Sequence, residues 1–312
     1  MSHNPSPELE VLAPAGSLEH VAAALAAGAD AVYVGLKGLG ARPNPWNLTV
    51  AEIESAAALA HAAGRRVYVA VNAEFHTRQD ALVREAMVGM SAAGVDALIV
   101  GDFGLLHFLK QAGNAIPIHA STLLGIYNAE GMRFLNREYG VSRVVLNTNL
   151  YLDEITVLHF LCPEIELELI AYGGVCFNDN RRCRQPHYLF EGEFCVGCKQ
   201  LYEVHTGPAE TIPLAQISKV ASQVRPPEIA LPGERLIWSP EIDLTPQVGL
   251  FARAGVVSFK IEGRTRATEY VAASTRKMRA AVDGLRADEL YQDDDLTAYY
   301  YLGHHSSLRG GR

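Results

Sequence analysis

Residues 9–35 read LEVLAPAGSLEHVAAALAAGADAVYVG, and this stretch decides the fold. Leu9–Pro14 is an apolar run of strand length. Leu18–Ala27 carries alanine and leucine at helical spacing. Ser17 stands where an N-cap belongs, Glu19 and His20 fall in the first turn, and Gly28 supplies the stop. Ala31–Gly35 is a second β-branched run. A strand, a helix and a strand in such short compass form a β-α-β unit, whose strands lie parallel. No G-x-G-x-x-G follows the first strand, and APAGS reads as a tight turn, so a dinucleotide-binding open sheet has little support.

The unit then repeats. Strands are predicted at Arg66–Val71, Ala97–Gly101, Ile116–Ala120, Arg143–Asn147 and Ile165–Tyr172. Helices fall at Val50–Ala63, Ala129–Tyr139 and Leu152–Leu161, and others end at Gly94 and Gly113. Each unit takes roughly 22–35 residues, which suits a parallel sheet. The rhythm stops over 173–235 and resumes at Leu236–Ser239 and Val256–Ile261, with a last helix at Thr268–Asp283. The predicted fold is therefore an α/β, TIM-like (βα)8 barrel with a cysteine-rich insertion after the seventh strand. Leu236–Ser239 is a candidate for one of its strands or for part of the insertion. One domain spans 9–283, including the insertion at 173–235, and 284–312 is a tail.

Composition narrows the function. The 312 residues are 49% hydrophobic and 20% charged, with net charge −8 and no block of lysine or arginine. Duplex nucleic acid is a poor partner for such a surface, though a local patch leaves room for an RNA substrate. The start MSHNPSPELEVL lacks a basic segment followed by an apolar one, and no apolar run is long enough for a membrane span. A cytoplasmic location is expected, where clustered cysteines bind metal or do chemistry more often than they form disulfides.

Four cysteines cluster as Cys176-x6-Cys183-x11-Cys195-x2-Cys198. Four thiolates suit one tetrahedral zinc or one Fe4S4 cluster equally by ligand count. A zinc ribbon shows two C-x2-C knuckles, and here only the second pair has that spacing. Cys176 follows the seventh strand, at the face of a barrel where active sites are built. Cys162 ends a helix among apolar residues and reads as a buried small hydrophobe. Strand alternation puts Lys260, Glu262 and Arg264 on one face at a strand end, where Arg264 and Arg266 suit a carboxylate. His119, beside Ser121 and Thr122, ends the fifth strand; Asn72 and Glu74 end the third; Tyr172 ends the seventh. Neither G-x-S-x-G nor H-E-x-x-H occurs, so a peptidase has only the His119–Ser121 neighbourhood to rest on.

The stretch LEVLAPAGSLEHVAAALAAGADAVYVGLKGLGARPNPWNLT, the strand HAST, the cysteine insertion and FKIEGRTRATEYV together resemble the peptidase U32 family, from about Leu9 to Asp283. In size the chain is similar to the UbiU-type and UbiV-type members. The resemblance implies an Fe4S4 (4Fe-4S) cluster on Cys176, Cys183, Cys195 and Cys198, with zinc the alternative. It implies oxygen-independent hydroxylation of a small aromatic or nucleobase substrate, with prephenate as oxygen donor. It also implies a heterodimer with a second U32 chain, and one alternative is that this chain is a non-catalytic partner subunit that completes the other chain's site. Arg42 and Asn47 match the family's Arg/Asn loop. With Asn72, His119, Tyr172, Lys260, Glu262 and Arg264 they make up the candidate substrate-binding set; no catalytic residue is assigned. The chain departs from the family in having no cysteine after Cys198 and in carrying Asn147, Thr148 and Asn149 where an Arg-Glu pair is common.

Overall fold

The computed structural model describes residues 9–41, 46–174, 202–204, 235–237 and 241–285. In chain order its strands are β1 (Glu10–Pro14), β2 (Ala31–Gly35), β3 (Arg66–Val71), β4 (Ala97–Val100), β5 (Ile118–Ala120), β6 (Val141–Val145), β7 (Glu166–Gly174), β8 (Tyr202–Val204), β9 (Arg235–Ile237), β10 (Glu241–Asp243) and β11 (Val256–Ile261). β1 to β7 pair in sequence order, β7 then pairs with β11, and β11 pairs with β1, all parallel. The result is a closed eight-stranded barrel of the TIM type. Between its strands run α1 (Leu18–Ala26), α2 (Val50–Ala62), α3 (Asp80–Ala92), α4 (Phe103–Gln111), α5 (Ala129–Tyr139), α6 (Leu152–Leu161) and α7 (Val248–Arg253); α8 (Thr268–Asp283) follows the last strand.

Local chemistry sets the helix starts. Ser17 Oγ accepts from the His20 amide at 3.2 Å, and Thr49 and Glu52 form a reciprocal capping box at the start of α2. Among the described residues no helix is long and apolar enough to cross a membrane. Leu236–Ser239 is not a barrel strand. Arg235–Ile237 instead pairs antiparallel with Tyr202–Val204 in a separate two-stranded sheet. β7 also runs two residues beyond its predicted end, because β10 pairs antiparallel with residues 172–174 above the barrel rim.

Alternation along the strands creates two apolar layers. Outward residues such as Val11, Val32, Val69, Leu98 and Phe259 pack under the helices. Inward residues Leu12, Tyr33, Tyr68, Ala70, Ile99 and Val145 fill the barrel. The end of the barrel where the strands begin is filled by charge. Glu10, 3% exposed, accepts from Arg143 Nη1 (2.5 Å), Ser258 Oγ (2.7 Å), Tyr68 OH (2.6 Å) and Arg66 Nη2 (2.8 Å). Arg143 also donates through Nε and Nη2 to Glu166 Oε2 (2.8 and 2.6 Å) and through Nη1 to Glu168 Oε2 (3.4 Å). Glu168, with no exposed surface, accepts from Lys260 Nζ at 2.7 Å.

Burial pulls the Arg143 guanidinium toward neutrality, but the Glu10 and Glu168 carboxylates outweigh it and hold the proton more tightly than usual. Burial, then the Glu10 charge, push the Tyr68 hydroxyl well above the usual phenol range. His119 sits in the same interior, edge-on to Tyr68 at 4.8 Å. Burial first, then the Arg143 cation, drive its pKa well below 6.5, so it is a neutral imidazole.

Arg143→Met leaves two buried carboxylates short of a partner and should destabilise the fold by about 3–5 kcal/mol in urea titration. Lys110→Ala, which breaks an exposed pair with Glu138, should cost under about 1 kcal/mol. Equal costs would show that the buried network is not structural. A second expectation concerns pH. Because the folded His119 pKa is depressed, the unfolded chain binds the extra proton below about pH 6.5 and stability falls as pH drops through that window. His119→Gln should flatten this acid limb of the stability profile, and an unchanged slope would place the titration elsewhere.

Candidate active site at the barrel mouth

Above the inner apolar layer, the strand ends enclose a cavity of about 120 Å3. Its floor is Ala70, Ile99, Val145 and Ile170, and its walls are Asn72, Ser121, Thr122, Lys260, Glu262 and Arg264, with Tyr33 between. It opens at the C-terminal ends of the strands, the face that carries chemistry in this fold.

Lys260 is 8% exposed. Glu168 holds its ammonium from below, and the Tyr33 ring centroid lies 4.3 Å away. Tyr33 is itself fixed by donating from its hydroxyl to the Ile261 carbonyl at 3.0 Å. Arg264 is 4% exposed, lies 5.6 Å from the same ring and donates to Asn47 Oδ1 at 3.2 Å. Two glycines make this approach feasible. A Cβ at Gly35 would collide with both Asn47 Oδ1 and Arg264 Nη1. Gly173, at φ +101°, passes against the Glu262 carbonyl oxygen, where any side chain would clash.

Lys260, Glu262, Arg264 and Asn72, four of the residues marked from sequence, thus meet at the mouth, and Asn47 stands behind Arg264. Asn72 Oδ1 also accepts from the Ala41 amide at 3.1 Å. His119 and Tyr172 are placed elsewhere. His119 lies one layer down, against Tyr68, and its Nδ1 has no hydrogen-bond partner among the described residues. Tyr172 faces outward, 6.2 Å from the Tyr270 ring and 5.3 Å from Lys277 Nζ. The cause is a register shift. β11 pairs Lys260 with Ile170 but Ile261 with Tyr172, so one residue of β7 is skipped and the inward–outward count slips by one. Arg266 pairs with Glu241 of β10 and stacks 5.2 Å from the Tyr270 ring. Asn147 donates its amide to the Ile126 carbonyl at 3.1 Å. Cys162 is fully buried, as its apolar context predicts. Arg42 and the four clustered cysteines, Cys176, Cys183, Cys195 and Cys198, lie outside the described residues.

Glu168 and Tyr33 are absent from the candidate set drawn from sequence. Glu168 had a signal, since IELELIAY places Glu166, Glu168 and Ile170 on one face of a strand. In chemical terms the mouth offers two cations, one carboxylate and three neutral polar side chains over an apolar floor. Such a set suits a small planar or ring-bearing molecule with an anionic group.

The family model described as Peptidase family U32 matches residues 16–305. A curated relative, tRNA hydroxylation protein P of Escherichia coli (strain K12), is 26% identical over 96% of this chain and 74% of its own length. Collagenase of Porphyromonas gingivalis is 30% identical over 88% of this chain and 66% of its own length. Among solved structures, the U32 peptidase Mk0906 superposes with a TM-score of 0.52 at 14% identity, covering 84% of this chain and 96% of that one, a likeness of fold. The chain belongs to peptidase family U32.

Proposed function

We propose that this chain hydroxylates a nucleobase in RNA without O2, using an Fe4S4 cluster on Cys176, Cys183, Cys195 and Cys198. One geometric observation supports the reading most. The segment that contains all four cysteines leaves the barrel at Gly174 and returns at Glu241, and these two residues pair directly at the rim of the mouth. Cys176 is two residues beyond Gly174 in sequence. The name of the Escherichia coli relative supports RNA over a free small molecule.

Hydroxylating a base replaces C–H with C–OH, a two-electron oxidation, so without O2 a second molecule gives up the oxygen atom and takes up the two electrons. Prephenate, the donor that the family resemblance implies, carries two carboxylates, for which Lys260 and Arg264 are suited partners. The apolar floor of Ala70, Ile99, Val145 and Ile170 suits a ring and excludes water from beneath it. Glu168 holds the Lys260 ammonium in place, and Asn47 orients Arg264. A cluster bound by four thiolates would supply one-electron transfer.

A hydrolase is the second reading, favoured by the name of the Porphyromonas gingivalis relative. The described residues lend it little. His119 Nδ1 lacks an orienting carboxylate, and the Ser121 hydroxyl accepts from the Leu123 amide at 3.3 Å.

Anaerobically purified protein should carry roughly four irons and four acid-labile sulfides per chain. Cys183→Ser should lower both. One zinc with no sulfide would remove the cluster from the account. Incubated anaerobically with RNA and prephenate, the loaded protein should yield a nucleoside one oxygen atom heavier by mass spectrometry. Lys260→Met should cut that yield at least about tenfold, the loss of one charge-assisted contact. Full yield from the variant would move substrate binding away from the mouth.

A further inference from the structure

A second cavity lies outside the barrel, between α3 and α4. At about 420 Å3 it is larger than the mouth, at about 120 Å3. Phe75, Val83 and Phe108 give it apolar walls, and Asp80, Arg84 and Gln111 border them. The Arg84 guanidinium lies 4.7 Å from the Phe108 ring centroid. Among the described residues Arg84 has no ion-pair partner, and the side chains of Asp80 and Gln111 make no hydrogen bond.

The groove and the mouth border the same loop. Asn72 lines the mouth and Phe75 lines the groove, on the one loop between β3 and α3. The neighbouring loop, between β4 and α4, packs on it. A Cβ at Gly101 would lie 2.6 Å from the Asn72 carbonyl oxygen, and one at Gly104 would lie 3.7 Å from the Phe75 ring.

A chain of net charge −8 gains little RNA affinity from long-range electrostatics. Stacking on aromatic rings supplies affinity that does not depend on net charge. We propose that the α3–α4 groove stacks one unpaired nucleobase of the RNA whose target nucleotide enters the barrel mouth; this rests on the RNA reading given above. Phe75 and Phe108 line the groove with half-buried rings, and Arg84, lying over Phe108, provides a cation for the adjoining phosphate or a planar face for the base. Asp80 accepts hydrogen bonds only, so it favours a base edge that presents an N–H, and Gln111 can meet either kind of edge.

Fluorescence anisotropy of the full chain with a labelled single-stranded RNA tests this. Phe108→Leu and Arg84→Glu should each weaken binding about fivefold or more. Phe108→Leu should not weaken binding to the same RNA made abasic throughout, because no base is left to stack. Arg84 is exposed, so its variant should fold normally, and circular dichroism checks both proteins. If both variants bind RNA like the parent while the parent still hydroxylates RNA, the groove proposal falls and the functional reading stands. Loss of a co-purifying protein with RNA affinity unchanged would assign the groove to a protein partner and also overturn the proposal. If the parent neither binds nor hydroxylates RNA, both fall together.

Discussion

A lysine ammonium sits 8% exposed near the top of this barrel because a fully buried carboxylate, Glu168, lies beneath it. Without that partner a nearly buried ammonium would lack the charge that compensates its burial. Glu168 in turn is shared with Arg143, and Arg143 with Glu10. These residues come from β11, β7, β6 and β1, which include the strands that close the barrel. One chain of charges therefore fastens the closing seam and delivers a cation to the mouth. Replacing such a network with apolar residues can leave a fold equally stable.

The mouth is built from strand ends, and its precision follows from that. Tyr33 is pinned by its hydroxyl, Lys260 and Arg264 share its ring, and Gly35 leaves the space in which Asn47 meets Arg264. Side chains held this way need little reordering when a ligand arrives. The loops that follow β3 and β4 extend the same surface outward to the α3–α4 groove, so a small donor and a long polymer could be met on one face.

The β-α rhythm was readable in the sequence because burial on both faces leaves apolar runs in the strands, and the caps Ser17 and Thr49 mark the helix starts. Lys260, Glu262 and Arg264 were readable because charges at the end of a strand stand out from its apolar run. Other features were hidden for physical reasons. Glu10, Arg143 and Glu168 look like solvent-facing residues until the barrel closes and turns their face inward. Tyr172 turns outward because one residue of β7 is skipped at a bulge, which no periodicity reveals. His119 belongs to the same inward face as the mouth residues but to the layer below, and strand position alone cannot separate layers. Leu236–Ser239 had strand composition, yet its pairing partner was another short segment between β7 and β11, not a barrel neighbour.

The central claim is that this U32 chain puts oxygen on an RNA base without using O2. The most direct measurement is nucleoside mass spectrometry of RNA from cells grown strictly without oxygen, with the gene intact and with it deleted. The account predicts a nucleoside one oxygen atom heavier than its parent in the first population and none in the second. The same hydroxylated nucleosides in both populations, or their appearance only when O2 is admitted, would contradict it.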